Sequence, residues 1–219
     1  MDIAHQQVLD SNYRFQRHVY NVTRRYYLLG RDRLISELAV PPEANVLEIG
    51  CGTARNLVRL AECYPEAQFW GIDLSCAMLA TAGKAVARRG LSGRVTLAHA
   101  DAACFDPRLT FGRETFDRIV FSYTLSMIPD WQLAIKQAAA CLAPSGSIQI
   151  VDFGSGRRLP ATVRRALRAW LRRFHVTPRD DLVPFLGRVA EGGQYELFAE
   201  ETYRTYAVRA VLTSAPSVG

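Results

Sequence analysis

No apolar run in this chain is long enough to cross a bilayer. A transmembrane anchor is therefore not expected. No Cys-x-x-Cys pair occurs. The five cysteines, Cys51, Cys63, Cys76, Cys104 and Cys141, are odd in number and scattered. That pattern argues against a disulfide framework and against a zinc site, and it suits a reducing compartment. Met1-Asp2-Ile3-Ala4-His5 does not read as a signal peptide. Internal repeats and low-complexity segments are missing. So is the Gly-x-x-x-x-Gly-Lys-Ser/Thr pattern of a P-loop, which excludes that mode of phosphate binding.

What the chain does have is an alternation. Its 219 residues, nearly half of them apolar, suit one α/β domain with a small addition. Strands are expected at Val46–Ile49, Gln68–Asp73, Arg94–Ala102, Phe116–Tyr123 and Ser147–Phe153. Helices lie between them, one of them from Trp131 to Leu142, stopped by Ala143-Pro144-Ser145-Gly146. Two late β patterns lie near 194–201 and 203–212. Such alternation predicts a parallel sheet covered on both faces.

The first strand runs into Glu48-Ile49-Gly50-Cys51-Gly52-Thr53-Ala54-Arg55. Gly50 and Gly52 allow a sharp turn and close approach to a ligand, and the following helix points its first amides at the same place. A dinucleotide fingerprint would need a third glycine at position 55, which is Arg55. Acids close the next two strands. Asp73 lies 23 residues after Gly50, about one βαβ unit, where a carboxylate can accept from both ribose hydroxyls. Ser75 reads as a helix N-cap, with Met78 one turn further on. Asp101 ends the third strand. Each acid alone could be an ordinary loop or capping residue. Together, in order, they resemble the motifs of the class I S-adenosylmethionine-dependent methyltransferases, with Ala54 in place of a final glycine.

That resemblance implies a Rossmann-like fold: a seven-stranded, mostly parallel sheet with an antiparallel last strand, helices on both faces and an N-terminal helical lid. It divides the chain into a lid at 1–40 and a cofactor domain at 41–219, with an arginine-rich helical insertion at about 154–190. It implies S-adenosylmethionine at Glu48, Gly50, Gly52, Asp73, Leu74, Met78, Asp101, Ala102 and Ser122, with Arg31 on the methionine carboxylate. In the family Met78 would pack on adenine and Asp101 would accept from its amine. The fourth strand would open onto the transfer site.

The charge of +6 is uneven. Eight arginines, Arg157, Arg158, Arg164, Arg165, Arg168, Arg172, Arg173 and Arg179, lie in one acid-free stretch, and without them 19 basic residues face 21 acids. Val163, Ala166, Leu167, Trp170, Leu171 and Phe174 keep the spacing of one apolar stripe. A basic amphipathic helix of this kind suits an anionic membrane surface. A cover packed on the sheet remains equally open. Nucleic acid is the weaker reading, since no motif for it accompanies the patch.

Residues 13–32 are dense in tyrosine and arginine. The pattern Tyr13-x-x-Gln16-Arg17-x-x-Tyr20-x-x-Thr23-Arg24-x-Tyr26-Tyr27-Leu28-Leu29-Gly30-Arg31-Asp32 is similar to the bacterial N-methyltransferases of betaine-lipid synthesis. So are Gly50–Leu57, Ser122-Tyr123-Thr124-Leu125-Ser126-Met127-Ile128-Pro129 and Phe174-His175-Val176-Thr177-Pro178-Arg179. The resemblance implies trimethylation of the amine of diacylglycerylhomoserine, in partnership with the enzyme that makes that lipid, at the inner face of a membrane. Tyr20, Tyr123 and His175 are the candidate catalytic residues. Arg24, Tyr26, Tyr27, Ser126 and Arg179 are the candidates for the substrate. Arginine suits a carboxylate, and tyrosine faces suit a quaternary ammonium. Two alternatives stand beside this: another class I methyltransferase, acting on phosphatidylethanolamine, a quinone precursor or a soluble amine, and a non-catalytic membrane-associated cofactor binder.

Overall fold

The computed structural model describes residues 28–193 and 195–215. Seven strands form one sheet: β1 (Asn45–Ile49), β2 (Gln68–Asp73), β3 (Val95–His99), β4 (Phe116–Ser122), β5 (Leu142–Phe153), β6 (Tyr195–Thr202) and β7 (Ala207–Ser214). Their order is β3-β2-β1-β4-β5-β7-β6, with β7 antiparallel to both its neighbours. The helices are α1 (Arg31–Ser36), α2 (Arg55–Cys63), α3 (Cys76–Arg88), α4 (Pro107–Phe111), α5 (Trp131–Ala140), α6 (Ala161–Arg172) and α7 (Leu182–Gly192). This is the expected Rossmann-like class I architecture.

The strands are apolar on both sides because both sides are covered. Along β1, Val46 packs in one core with Leu34, Leu57 and Leu60, while Leu47 and Ile49 pack in the other with Trp131, Ile135 and Leu186. The chain winds outward from β1 to β3, then returns to place β4 on the other side of β1. The strand order therefore reverses between β1 and β4, and a crevice opens beyond their carboxyl ends.

Several boundaries differ from the sequence expectation, three of them with a clear physical cause. β5 begins at Leu142, not Ser147, because Leu142 pairs with Phe116 before a register shift brings Ser147 opposite Arg118. The Ala143–Gly146 segment is thus a bulge within the strand, with Ser145 at φ 60°. β7 begins at Ala207, because Tyr203, Arg204 and Thr205 all take positive φ in the hairpin turn. Finally, residues 28–40, placed in the lid by the sequence, include Leu28, Leu34, Ile35 and Leu38, all buried in the sheet's own core. The rest of the expected lid, 1–27, lies outside the described residues.

Candidate functional site

A cleft of about 260 Å³ opens at the carboxyl ends of β1, β2 and β4. Its first wall is built on the glycine turn. Gly50 has φ +71°, and a Cβ placed there would lie 2.2 Å from Thr124 Cγ2. Only glycine permits both the conformation and the approach. The Gly52 N–H donates to one Asp73 carboxylate oxygen at 2.7 Å, and the Ser75 N–H donates to the other at 2.9 Å. Asp73 thereby clamps the turns after β1 and β2 together. Ser75 Oγ accepts the Met78 N–H at 3.3 Å, the expected cap of α3, and Met78 is buried on the cleft. Ala54 adopts the left-handed conformation, φ 59°, that a final glycine would take freely, and it is fully buried at the start of α2.

A polar chain crosses behind this turn. Arg31 Nη2 donates to Asn56 Oδ1 at 3.1 Å, and Asn56 Nδ2 donates to buried Glu48 at 2.6 Å. It ties α1, α2 and β1 to one another. Asp101 Oδ1 accepts the Ala103 N–H at 2.9 Å, which shapes the turn after β3. Arg31, Glu48, Gly50, Gly52, Asp73, Leu74, Met78, Asp101, Ala102 and Ser122 all line this one cleft. The buried Ser122 hydroxyl finds no hydrogen-bond partner among the described residues.

The second wall is the turn after β4. Tyr123, Thr124, Met127, Ile128, Pro129 and Asp130 line it, the last two exposed at the rim. Tyr123 takes φ 56° and packs its ring on Phe153 at 4.7 Å. From behind, buried Asp152 accepts the Ser126 N–H at 3.1 Å and the Phe153 N–H at 2.7 Å. Burial pushes the Asp152 carboxyl above its usual range, against the pull of hydrogen bonds from Ser126, Phe153 and Leu125.

The structure places four further sequence candidates as follows. Tyr123 reaches the cleft, but its hydroxyl donates to the Leu29 carbonyl at 2.6 Å, and burial first of all pushes the phenol well above its ordinary value. Both the hydrogen bond and the burial favour the neutral phenol. His175 is exposed past the end of α6, at φ 56°, and does not line the cleft. Arg179 also lies off the cleft, because Nε donates to the Leu125 carbonyl at 3.0 Å and Nη2 to the Ile128 carbonyl at 2.6 Å. It braces the turn instead of meeting a substrate carboxylate. Ser126 is buried behind the same turn, held there by its N–H bond to Asp152. Tyr20, Arg24, Tyr26 and Tyr27 lie outside the described residues.

Sequence reading missed Asn56 as a partner of Glu48, Thr124 as the reason for Gly50, and Cys51 in the cleft lining. Burial, then the nearby Asp73 and Glu48 charges, push the Cys51 thiol up, so it stays protonated and acts by packing. A helix after a Gly-x-Gly turn was a usable signal for Asn56. Thr124 and Cys51 had none.

Residues 46–146 match the methyltransferase-domain family. A demethylmenaquinone methyltransferase of Geobacillus kaustophilus (strain HTA426) is 30% identical over 126 residues, which are 57% of this chain and 52% of that protein. The chain spans about half the length of the curated relatives it matches. Among solved structures, an O-methyltransferase family protein from Burkholderia thailandensis superposes with a TM-score of 0.70 at 18% identity, over 91% of this chain and 59% of that one. Phosphoethanolamine N-methyltransferase 2 of Haemonchus contortus, in complex with S-adenosyl-L-methionine, gives 0.69 at 15% identity, over 85% and 52%. At such identities the likeness shows the fold.

Proposed function

We propose that this chain, which carries a class I S-adenosylmethionine-dependent methyltransferase domain over residues 46–146, methylates the amine of a lipid headgroup, diacylglycerylhomoserine. The observation that carries the cofactor half is the convergence of Glu48, the Gly50 turn, Asp73 and Asp101 on one cleft. These residues fit the cofactor. The Asp73 oxygens accept the Gly52 and Ser75 N–H bonds, and a carboxylate has lone-pair sites beyond these two that suit a ribose hydroxyl. The unpartnered Ser122 hydroxyl offers a polar contact, and Met78 offers an apolar face for a base.

S-adenosylmethionine supplies an electrophilic methyl group on a sulfonium. The protein aligns a neutral amine with it and excludes water. The apolar turn of Met127, Ile128 and Pro129 suits the stem of a lipid, and Asp130 at the rim attracts a cationic headgroup. As the N–C bond forms, the S–CH₃ bond breaks. The proton lost at each of the first two steps passes to water at the open rim. From the sequence pattern alone, we assign Tyr20, Tyr26 and Tyr27 to the quaternary ammonium product and Arg24 to the headgroup carboxylate.

The names of the curated relatives favour a second acceptor, demethylmenaquinone, over this one. The amine is supported by the patterns at 13–32 and 174–179, which lie outside the matched span of 46–146. Purified protein with S-adenosylmethionine and vesicles bearing diacylglycerylhomoserine, phosphatidylethanolamine or a demethylated quinol tests it by lipid mass spectrometry. Up to three methyl groups on the homoserine lipid support the proposal. Methylation of the quinol alone overturns it in favour of the second reading.

A further inference from the structure

The arginine-rich helix α6 is neither fully buried nor free of the sheet. Leu171 is buried, and Leu167 and Phe174 pack against the core. Val163 and Trp170 remain 50% and 36% exposed. At 3.6 residues per turn, Val163, Ala166 and Trp170 form one edge of the outer face, Arg165 and Arg172 form the other, and Arg173, at the helix C-cap, falls between the two edges. All six are exposed. Arg168 pairs with Asp180, whereas Arg165, Arg172 and Arg173 make no ion pair among the described residues. No acid follows α6 until Asp180. A helix serving only as a cover would need neither an exposed tryptophan nor three exposed, unbalanced cations.

Its position matters as much as its surface. α6 leaves the carboxyl end of β5, the same end of the sheet at which the cleft opens. Just past α6, the Thr177 N–H donates to the Ser126 carbonyl at 2.8 Å, and Arg179 holds the Leu125 and Ile128 carbonyls. The helix is therefore tied to the turn that forms the second wall of the cleft.

We infer that the outer face of α6 docks on an anionic lipid bilayer and sets the second wall of the cleft against it. Arg165, Arg172 and Arg173 meet the headgroups, while Trp170 and Val163 enter the interfacial layer. Charge complementarity commits the surface to this occupant; a nucleic acid could stack on Trp170 but would leave the exposed aliphatic edge of Val163 and Ala166 without a partner. The inference deepens the proposed function and rests on the acceptor being lipid-borne.

The test is co-sedimentation of the whole protein with vesicles of phosphatidylcholine alone or mixed with phosphatidylglycerol. Binding should need the anionic lipid and weaken with salt, as the screening length shrinks to about 8 Å at physiological ionic strength. Arg165→Gln/Arg172→Gln/Arg173→Gln should weaken binding on the order of 100-fold, and Trp170→Ser should weaken it further. Calorimetric affinity for S-adenosylmethionine should be unchanged in both, which shows that the variants fold. Unaltered vesicle binding in both variants overturns the inference. So does wild-type protein that ignores anionic vesicles but binds double-stranded RNA. If vesicle binding behaves as expected while no lipid is methylated, the docking stands and the acceptor assignment fails.

Discussion

The two walls of the cleft are held in different ways. The first is self-contained: Asp73 clamps Gly52 and Ser75, and Ser75 caps α3 at Met78, all within 30 residues of Glu48 in sequence. The second is held from far away. Tyr123 is anchored by Leu29, the turn at Ser126 by Asp152, and the carbonyls of Leu125 and Ile128 by Arg179. A short-range wall can be kept while the other is rebuilt for a different acceptor. The cofactor and acceptor functions should therefore separate under mutation.

The largest effect is expected where the walls touch. Gly50→Ala adds a methyl group 2.2 Å from Thr124 Cγ2 at φ +71°. It should cost about 3 kcal/mol in urea denaturation and abolish cofactor binding. Adding Thr124→Ala should recover part of the stability, because the nearest clashing atom is gone. No recovery would mean that backbone strain, not contact between the walls, explains the glycine.

Asp152→Asn should come next. One amide oxygen cannot accept both the Ser126 and Phe153 N–H bonds, so the second wall shifts. Turnover should fall roughly 10- to 100-fold. The variant should also change a pH slope. The folded state holds the Asp152 proton more tightly than the unfolded chain does. That contribution is complete below the ordinary aspartate range and is lost as pH rises through the raised folded value. Wild-type stability should decline across that window in urea titrations, and Asp152→Asn should lack this part of the decline.

The smallest effect is expected at Tyr123. Tyr123→Phe loses only the bond to the Leu29 carbonyl, about 1 kcal/mol of stability. The pH profile of turnover should not move. A shifted profile would restore Tyr123 as a proton acceptor.

The same contrast explains what could be read from the sequence. Asp73, Ser75 and Asp101 were legible because strand period, helix start and βαβ spacing place them from local residues alone. Asp152 and Arg179 were not, because their partners lie 26 and about 50 residues away and no local pattern encodes such pairings. Arg179 looked like a carboxylate ligand because an arginine fork suits carboxylates and backbone carbonyls alike. The bulge at Ala143–Gly146 looked like a turn because the same residues serve both. Periodicity placed an apolar stripe along α6, but only Leu167, Leu171 and Phe174 of it pack on the core, because spacing alone cannot say how much of a stripe the sheet will cover.

Separable walls are tested most directly by calorimetric titration of S-adenosylmethionine into wild type, Asp73→Ala and Asp152→Asn. Removing Asp73 takes away a charged acceptor and its clamp on Gly52 and Ser75, so affinity should fall about 100-fold. Asp152→Asn should bind as wild type does, despite its slower turnover. Equal losses in both variants, or none in Asp73→Ala, would contradict the account.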